Sequence, residues 1–199
     1  MQRKQKLSMK DVLLWSQGEP PRPGPRRIGI HTSTSGGVEQ AAERAYRLGA
    51  NAFQIFSSSP RQWKPYSLAT SQCEQMRRLR EKYDIAPLVI HSSYLVNLAS
   101  STPVFHRKSV EAFRGELERA IALGAEFLVL HPGSFRGRSR EEGLELVAAS
   151  IAEAAPIVCP SIDLIELMGI REALSPKTRL TAIVSKRSFV SVPVPCALM

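Results

Sequence analysis

The sequence holds little that would build a secreted or membrane-bound protein. It has three cysteines in 199 residues, Cys73, Cys159 and Cys196, with no close pair and no Cys-x-x-Cys. That spacing excludes a disulfide framework and points to a reducing compartment. No apolar run approaches the roughly 18 residues of a membrane span. Near the basic N-terminus the only apolar run is Val12-Leu-Leu-Trp15, short of the roughly 7–15 residues of a signal-peptide core. The expectation is a soluble cytoplasmic protein with no membrane partner. Acidic residues are also few: 18 Asp and Glu stand against 27 Lys and Arg, a net charge of +9. Such a balance favours an anionic partner, of which nucleic acid is the commonest; the alternative is a plain soluble basic protein. Histidine is scarce as well, with four residues and none after His131.

What is present suffices for one domain with a sizeable core. Residues 1–27 read as a basic, Pro-rich tail, because Pro20-Pro-Arg-Pro-Gly-Pro25 can hold neither a helix nor a central strand. Arg22, Arg26 and Arg27 could touch a polyanion there, or simply be solvated. From residue 28 the texture alternates. Short apolar runs at 28–30, 51–56, 88–91 and 127–131 read as buried parallel strands. Segments near 38–48, 71–83, 104–123 and 140–155 carry the spacing of helix faces. Gly49 and Gly124 are plausible helix ends. Residues 161–166 suggest a fifth strand and 180–184 a further one. Serial β-loop-α units predict an α/β fold with a parallel sheet, open and doubly wound or closed into a (β/α)8 barrel of the TIM type. A closed barrel takes roughly 250 residues, so an incomplete barrel over 28–167 is expected. Residues 168–199, which lose the rhythm and carry two prolines near their end, read as a divergent tail.

Two strands end in histidine. His91 closes Ala86-Pro-Leu-Val-Ile-His91, and His131 closes Glu126-Phe-Leu-Val-Leu-His131. Residues there leave the carboxyl end of the sheet, where such folds build their sites. With Glu166 at the end of the fifth run, two imidazoles and a carboxylate suit zinc or a similar divalent ion. The plainer alternative is that each histidine caps its strand through a hydrogen bond. His31 ends the first strand and could be a ligand, a group supporting the ligands, or a loop residue. His106 begins a helix and reads as solvated. Arg61, Trp63 and Tyr94 are large groups on loops of the same rim. An exposed Arg and an aromatic can stack on bases or wedge into a duplex, although Trp63 reads better as packing. Arg136, Arg138 and Arg140 form a basic rim that could contact phosphates or be solvated.

The motifs together resemble the endonuclease IV family, the apurinic/apyrimidinic endonucleases of base excision repair. They are Gly29-Ile-His31-Thr-Ser33 with Gly36-Gly37, Phe56-Ser-Ser-Ser-Pro-Arg-Gln-Trp63, His91-Ser-Ser-Tyr-Leu-Val-Asn-Leu98 and His131-Pro-Gly-Ser134. They cover roughly residues 27–155. The resemblance implies a (β/α)8 barrel with three zinc ions at its top face. His91 and His131 match two ligands of the first zinc, and Glu166 falls near the Glu that bridges to a second. Arg61 and Tyr94 match residues that enter DNA at the lesion, and Gln62 and Asn97 lie in the same DNA-binding motifs. The implied activity is zinc-dependent phosphodiester hydrolysis 5′ to abasic sites in double-stranded DNA, leaving a 3′-hydroxyl. The family is usually monomeric, whereas exposed strand edges lead us to expect self-association here. The pattern departs after Glu166, where Leu167-Met-Gly-Ile170 replaces an Asn-Thr-Ala-Gly-like stretch. The family's later Asp-Thr-Cys-His, His-x-Asn-Asp and Asp-x-His segments and its final Glu are absent. The expectation is therefore an incomplete cluster and impaired catalysis. The alternatives are a DNA-binding fragment that does not cut, and a sugar-isomerase-like barrel. The Arg-Gln-Trp loop and the positive charge argue against the last.

Overall fold

The computed structural model describes residues 25–64, 66–154 and, as backbone, 163–166. Among these residues five strands, β1 (Gly29–His31), β2 (Ala52–Phe56), β3 (Leu88–His91), β4 (Phe127–Leu130) and β5 (Asp163–Glu166), alternate with four helices, α1 (Gln40–Arg47), α2 (Thr70–Tyr83), α3 (Pro103–Leu123) and α4 (Arg140–Ala154). All pairings are parallel, in the order β1-β2-β3-β4-β5. An unbroken sequential order never reverses the winding. Right-handed crossovers then lay every helix on one face of the sheet. That is the winding of a barrel and excludes the doubly wound alternative.

Strand alternation sorts the side chains. Phe53 and Ile55, Leu88 and Ile90, and Leu128 and Leu130 all join one core cluster with helix residues Ala41, Ala45, Met76, Phe113, Leu117 and Leu123. Val89, Phe127 and Val129, on the opposite parity, form a separate small cluster on the other face. His91 shares the parity of Val89, so the sheet delivers its imidazole to the concave side. A one-residue slip would turn it into the helix layer.

The helix ends follow their residues. Pro103 opens α3, where its missing N–H costs nothing. Gly124 closes it with φ +68°, a left-handed turn that glycine adopts without strain. Before α4, Ser139 and Glu142 form a capping box. The Glu142 amide donates to Ser139 Oγ at 3.2 Å, and the Ser139 amide to Glu142 Oε2 at 2.7 Å. The Ser139 amide first, and then its hydroxyl, favour the carboxylate and hold Glu142 below its usual titration range. Ser139→Ala should destabilise the protein by about 1 kcal/mol, read as a lowered denaturation midpoint with an unchanged slope.

At the foot of the sheet Arg80 donates to the carbonyls of Gly124 at 2.6 Å and Ile85 at 3.2 Å and pairs with Glu126. Glu126 in turn accepts from the Leu88 amide at 2.7 Å. One guanidinium thus ties the end of α3 to the entry of β3 and β4. In a barrel the foot serves stability and the opposite rim serves chemistry.

The expected elements recur with ends that agree or shift by one residue, except that α1 and β5 each start two residues later than expected. β1 starts at Gly29 and runs through His31, and β4 stops at Leu130, so His131 lies just beyond it. The expected strand at 180–184, the domain boundary at 167 and the tail at 168–199 lie outside the described residues, as does the N-terminal tail up to residue 24. Among the described residues no helix is long and apolar enough to cross a membrane.

Candidate metal and nucleic-acid site

The two strand-end histidines meet. His131 Nε2 lies 3.3 Å from His91 Nε2, with ring centroids 5.1 Å apart. His91 is buried, at 8% exposure. Its Nδ1 lies 2.8 Å from the Ser92 carbonyl. A carbonyl can only accept, so Nδ1 carries the proton and Nε2 offers its lone pair toward His131. Burial first, and then the neighbouring His131 and His31, push this imidazole below its usual titration range, against the pull of the Ser92 carbonyl. A neutral imidazole with a fixed tautomer, its free nitrogen facing a second imidazole, offers two donors of the kind a zinc ion takes. The residues present therefore fit that ion as far as two ligands go.

Glu166 enters only through its backbone, which pairs with Leu130 one position short of His131. Among the described residues no group of three His, Cys, Asp or Glu side chains gathers. His31 is exposed and stays to the side, its Nδ1 3.1 Å from Gln54 Oε1 and its ring centroid 6.4 Å from that of His91. His106 departs from the solvated reading. It is half-buried, with Nε2 2.7 Å from Ser150 Oγ. The Ser150 hydroxyl already donates to the Leu146 carbonyl at 2.6 Å, so the imidazole must supply the proton, and this bond joins α3 to α4.

Around the pair, Phe56 and Tyr94 pack edge-on to His91 at 5.1 and 5.5 Å between centroids, and to each other at 5.2 Å. Tyr94 nevertheless remains 60% exposed. The loops after β2 and β3 are stitched at one carbonyl: Pro60 accepts from Ser93 Oγ at 3.0 Å and from the Tyr94 amide at 3.2 Å. This fixes Tyr94 beside Arg61. Arg61 and Gln62 are exposed, and their side chains make no hydrogen bond or ion pair with other described residues. Trp63 is half-buried. Asn97 is half-buried and commits its amide to the loop after β4. Its Oδ1 accepts from the Ser134 amide at 3.0 Å and the Ala99 amide at 3.1 Å, and its Nδ2 donates to the Ser134 carbonyl at 3.2 Å. Gly133, at φ +99°, makes this possible: a Cβ there would run into Asn97. A cleft of about 520 Å³ lies among the loops after β1 and β2, lined by His31, Thr32, Ser33, Ser57, Ser58 and Tyr66 among others; neither histidine of the pair lines it.

Sequence reasoning missed what lies beneath these loops. Glu116 of α3 is 2% exposed. It accepts from the Ser57 and Ser58 hydroxyls, the latter at 3.0 Å, and pairs with Arg119 at 3.2 Å. Arg119 Nε donates to Ser57 Oγ at 2.9 Å. The Arg61 loop thus stands on a buried ion pair. The signal was legible: Phe113, Glu116, Leu117 and Ala120 share one helical face, and a lone acid on an apolar face needs partners.

Fold and rim together define a xylose isomerase-like TIM-barrel protein, and the model of that family matches residues 42–169. The chain is 54% identical over 129 residues to a probable endonuclease 4 of Solibacter usitatus, covering 65% of this chain and 44% of the relative. The solved endonuclease IV of Thermus thermophilus is 40% identical with a TM-score of 0.63, over 71% of this chain and 51% of that one. A D-tagatose 3-epimerase-like protein, at 22% identity, TM-score 0.50 and coverage of 75% and 56%, shares the fold. The chain belongs to the xylose isomerase-like TIM-barrel family and, within it, to the endonuclease IV family. It spans about half the length of the relatives it matches.

Proposed function

We propose that the chain is a DNA repair endonuclease of the endonuclease IV type, working in the cytoplasm on abasic sites in duplex DNA and hydrolysing the phosphodiester on their 5′ side. The observation that carries this reading is the pair of imidazole nitrogens 3.3 Å apart on a rim whose Arg61, Gln62 and Tyr94 are exposed. His91 and His131 would hold zinc, with Glu166 as the proposed third ligand. Bound there, zinc supplies a water acidified to a pKa of about 7 and stabilises charge on the phosphate.

The other residues act on the DNA. A duplex that has lost a base offers a gap that a side chain can enter at little unstacking cost. Tyr94 is braced edge-on against His91 and Phe56, so it reaches into that gap as a supported ring. Arg61 and Gln62 enter beside it, on the loop anchored through Pro60. Asn97 contributes by holding Ser134 and hence the loop that begins at His131.

A second reading, DNA binding without cutting, is favoured by one observation: only two ligands converge among the described residues. A nicking assay separates the two. With zinc, a 5′-labelled duplex carrying one abasic site should be cut on the 5′ side of the lesion, leaving a 3′-hydroxyl. The polypeptide of this sequence should turn over far more slowly than a full-length relative, and His131→Ala should abolish the cut. Lesion-specific binding without any cut would establish the second reading. Absence of both would overturn the two together.

A further inference from the structure

Beyond the histidine rim, the loop into α4 presents an aromatic ring set among three arginines. Phe135 is 41% exposed, yet its base is fixed. A Cβ placed on the buried Gly143 would come within 2.5 Å of Phe135 Cβ, so the side chain sits directly on the first turn of α4. The segment Phe135-Arg136-Gly137-Arg138 closes as a tight turn, its Arg138 amide donating to the Phe135 carbonyl at 2.9 Å. Gly137 takes the third position at φ +84°, as such a turn requires. Upstream, Asn97 clamps Ser134; downstream, the Ser139–Glu142 box starts the helix. Arg136, Arg138 and Arg140 are exposed, and their side chains make no hydrogen bond or ion pair with other described residues.

A rigidly seated, half-open aromatic costs little entropy when something stacks on it. Three exposed guanidiniums flank it in sequence, at alternate positions 136, 138 and 140, and supply the positive charge that backbone phosphates seek. The chemistry that fits both is a single strand of nucleic acid, whose bases keep a free face; in a paired duplex those faces are covered. We infer that Phe135 is a stacking platform for an unpaired base and that Arg136, Arg138 and Arg140 hold the phosphates on either side of it. The inference rests on the reading of this rim as DNA-binding and adds a strand-separated region to the substrate.

The test uses the 199-residue chain with two kinds of probe: a 12-nucleotide oligothymidine, and a duplex prepared both with one abasic site and intact. Phe135→Ala should weaken binding of the oligothymidine by about 5- to 150-fold, the value of one stacked base, and Phe135→Tyr should restore it. Phe135→Trp should bind like the wild type, and its fluorescence should be quenched on binding, relative to the wild type with its own Trp15 and Trp63. The triple Arg136, Arg138, Arg140→Ala variant should lower the slope of log affinity against log salt by about 2. Unchanged oligothymidine binding by Phe135→Ala, or an unquenched Phe135→Trp, overturns the inference. Failure of the underlying reading looks different: wild-type protein that binds the oligothymidine but treats abasic and intact duplex alike removes the lesion reading and leaves the platform. A wild type that binds neither probe overturns both.

Discussion

Glu116→Ala should cost about 3–5 kcal/mol of folding stability, the penalty for stranding a buried charge. Arg119, whose side chain is 11% exposed, would lose its carboxylate while still held under the loop after β2, and the Ser57 and Ser58 hydroxyls would lose their acceptor. Chemical denaturation reads this directly as a lowered midpoint. The double variant Glu116→Leu, Arg119→Met should regain most of the loss, since an apolar pair of similar volume commonly replaces a buried ion pair without penalty. It should not regain function. The serines would no longer be tethered, Arg61 and Gln62 would be held less firmly beside Tyr94, and affinity for abasic duplex should remain below wild type. A double variant as unstable as Glu116→Ala would mean that the network's value lies in the hydrogen bonds that Glu116 accepts from the two serines and not in avoiding a stranded charge.

The second large effect is at the rim. His91→Ala or His131→Ala should each weaken zinc binding by more than about 100-fold, since even groups that only orient a ligand are worth about 10–100-fold. Cobalt(II) titration followed by its visible spectrum gives the affinity without reference to turnover. The two variants should differ in stability. His91 is buried among Phe56, Tyr94 and His131, so removing it opens a void in the aromatic cluster. His131 is only half-buried, and its loss should leave the melting temperature closer to wild type. Zinc affinity that survives both substitutions would remove these histidines from the metal site.

Much of this was legible before any coordinates. Short β-branched runs such as Leu88–His91 bury both faces in a parallel sheet, so their hydrophobicity marks them, and Gly124 marks a helix end. The histidines stood out because a polar residue at the end of an apolar strand has one place to go, the open rim. What stayed hidden depends on distance in sequence. Glu116 lies far along the chain from Ser57, and only the packing of α3 beside the β2 loop brings them together. Asn97 carried a motif position, but its bonds to Ser134 follow from the approach of two loops that no local spacing encodes. His106 looked exposed at a helix start because its partner, Ser150, belongs to another helix. Glu166 illustrates the same limit: a strand ending there can be read from its apolar run, while its register beside Leu130 follows from strand pairing that no local spacing encodes.

The central claim is that this rim recognises an abasic site. Equilibrium binding of the zinc-supplemented 199-residue chain to two otherwise identical duplexes, one abasic and one intact, tests it most directly. The account predicts at least tenfold tighter binding to the abasic duplex, with affinity for both falling steeply as salt rises. It also predicts that Arg61→Ala and Tyr94→Ala erase the preference while leaving the affinity for intact duplex within a few-fold. Equal affinity for the two duplexes, or a preference that survives both substitutions, would contradict it.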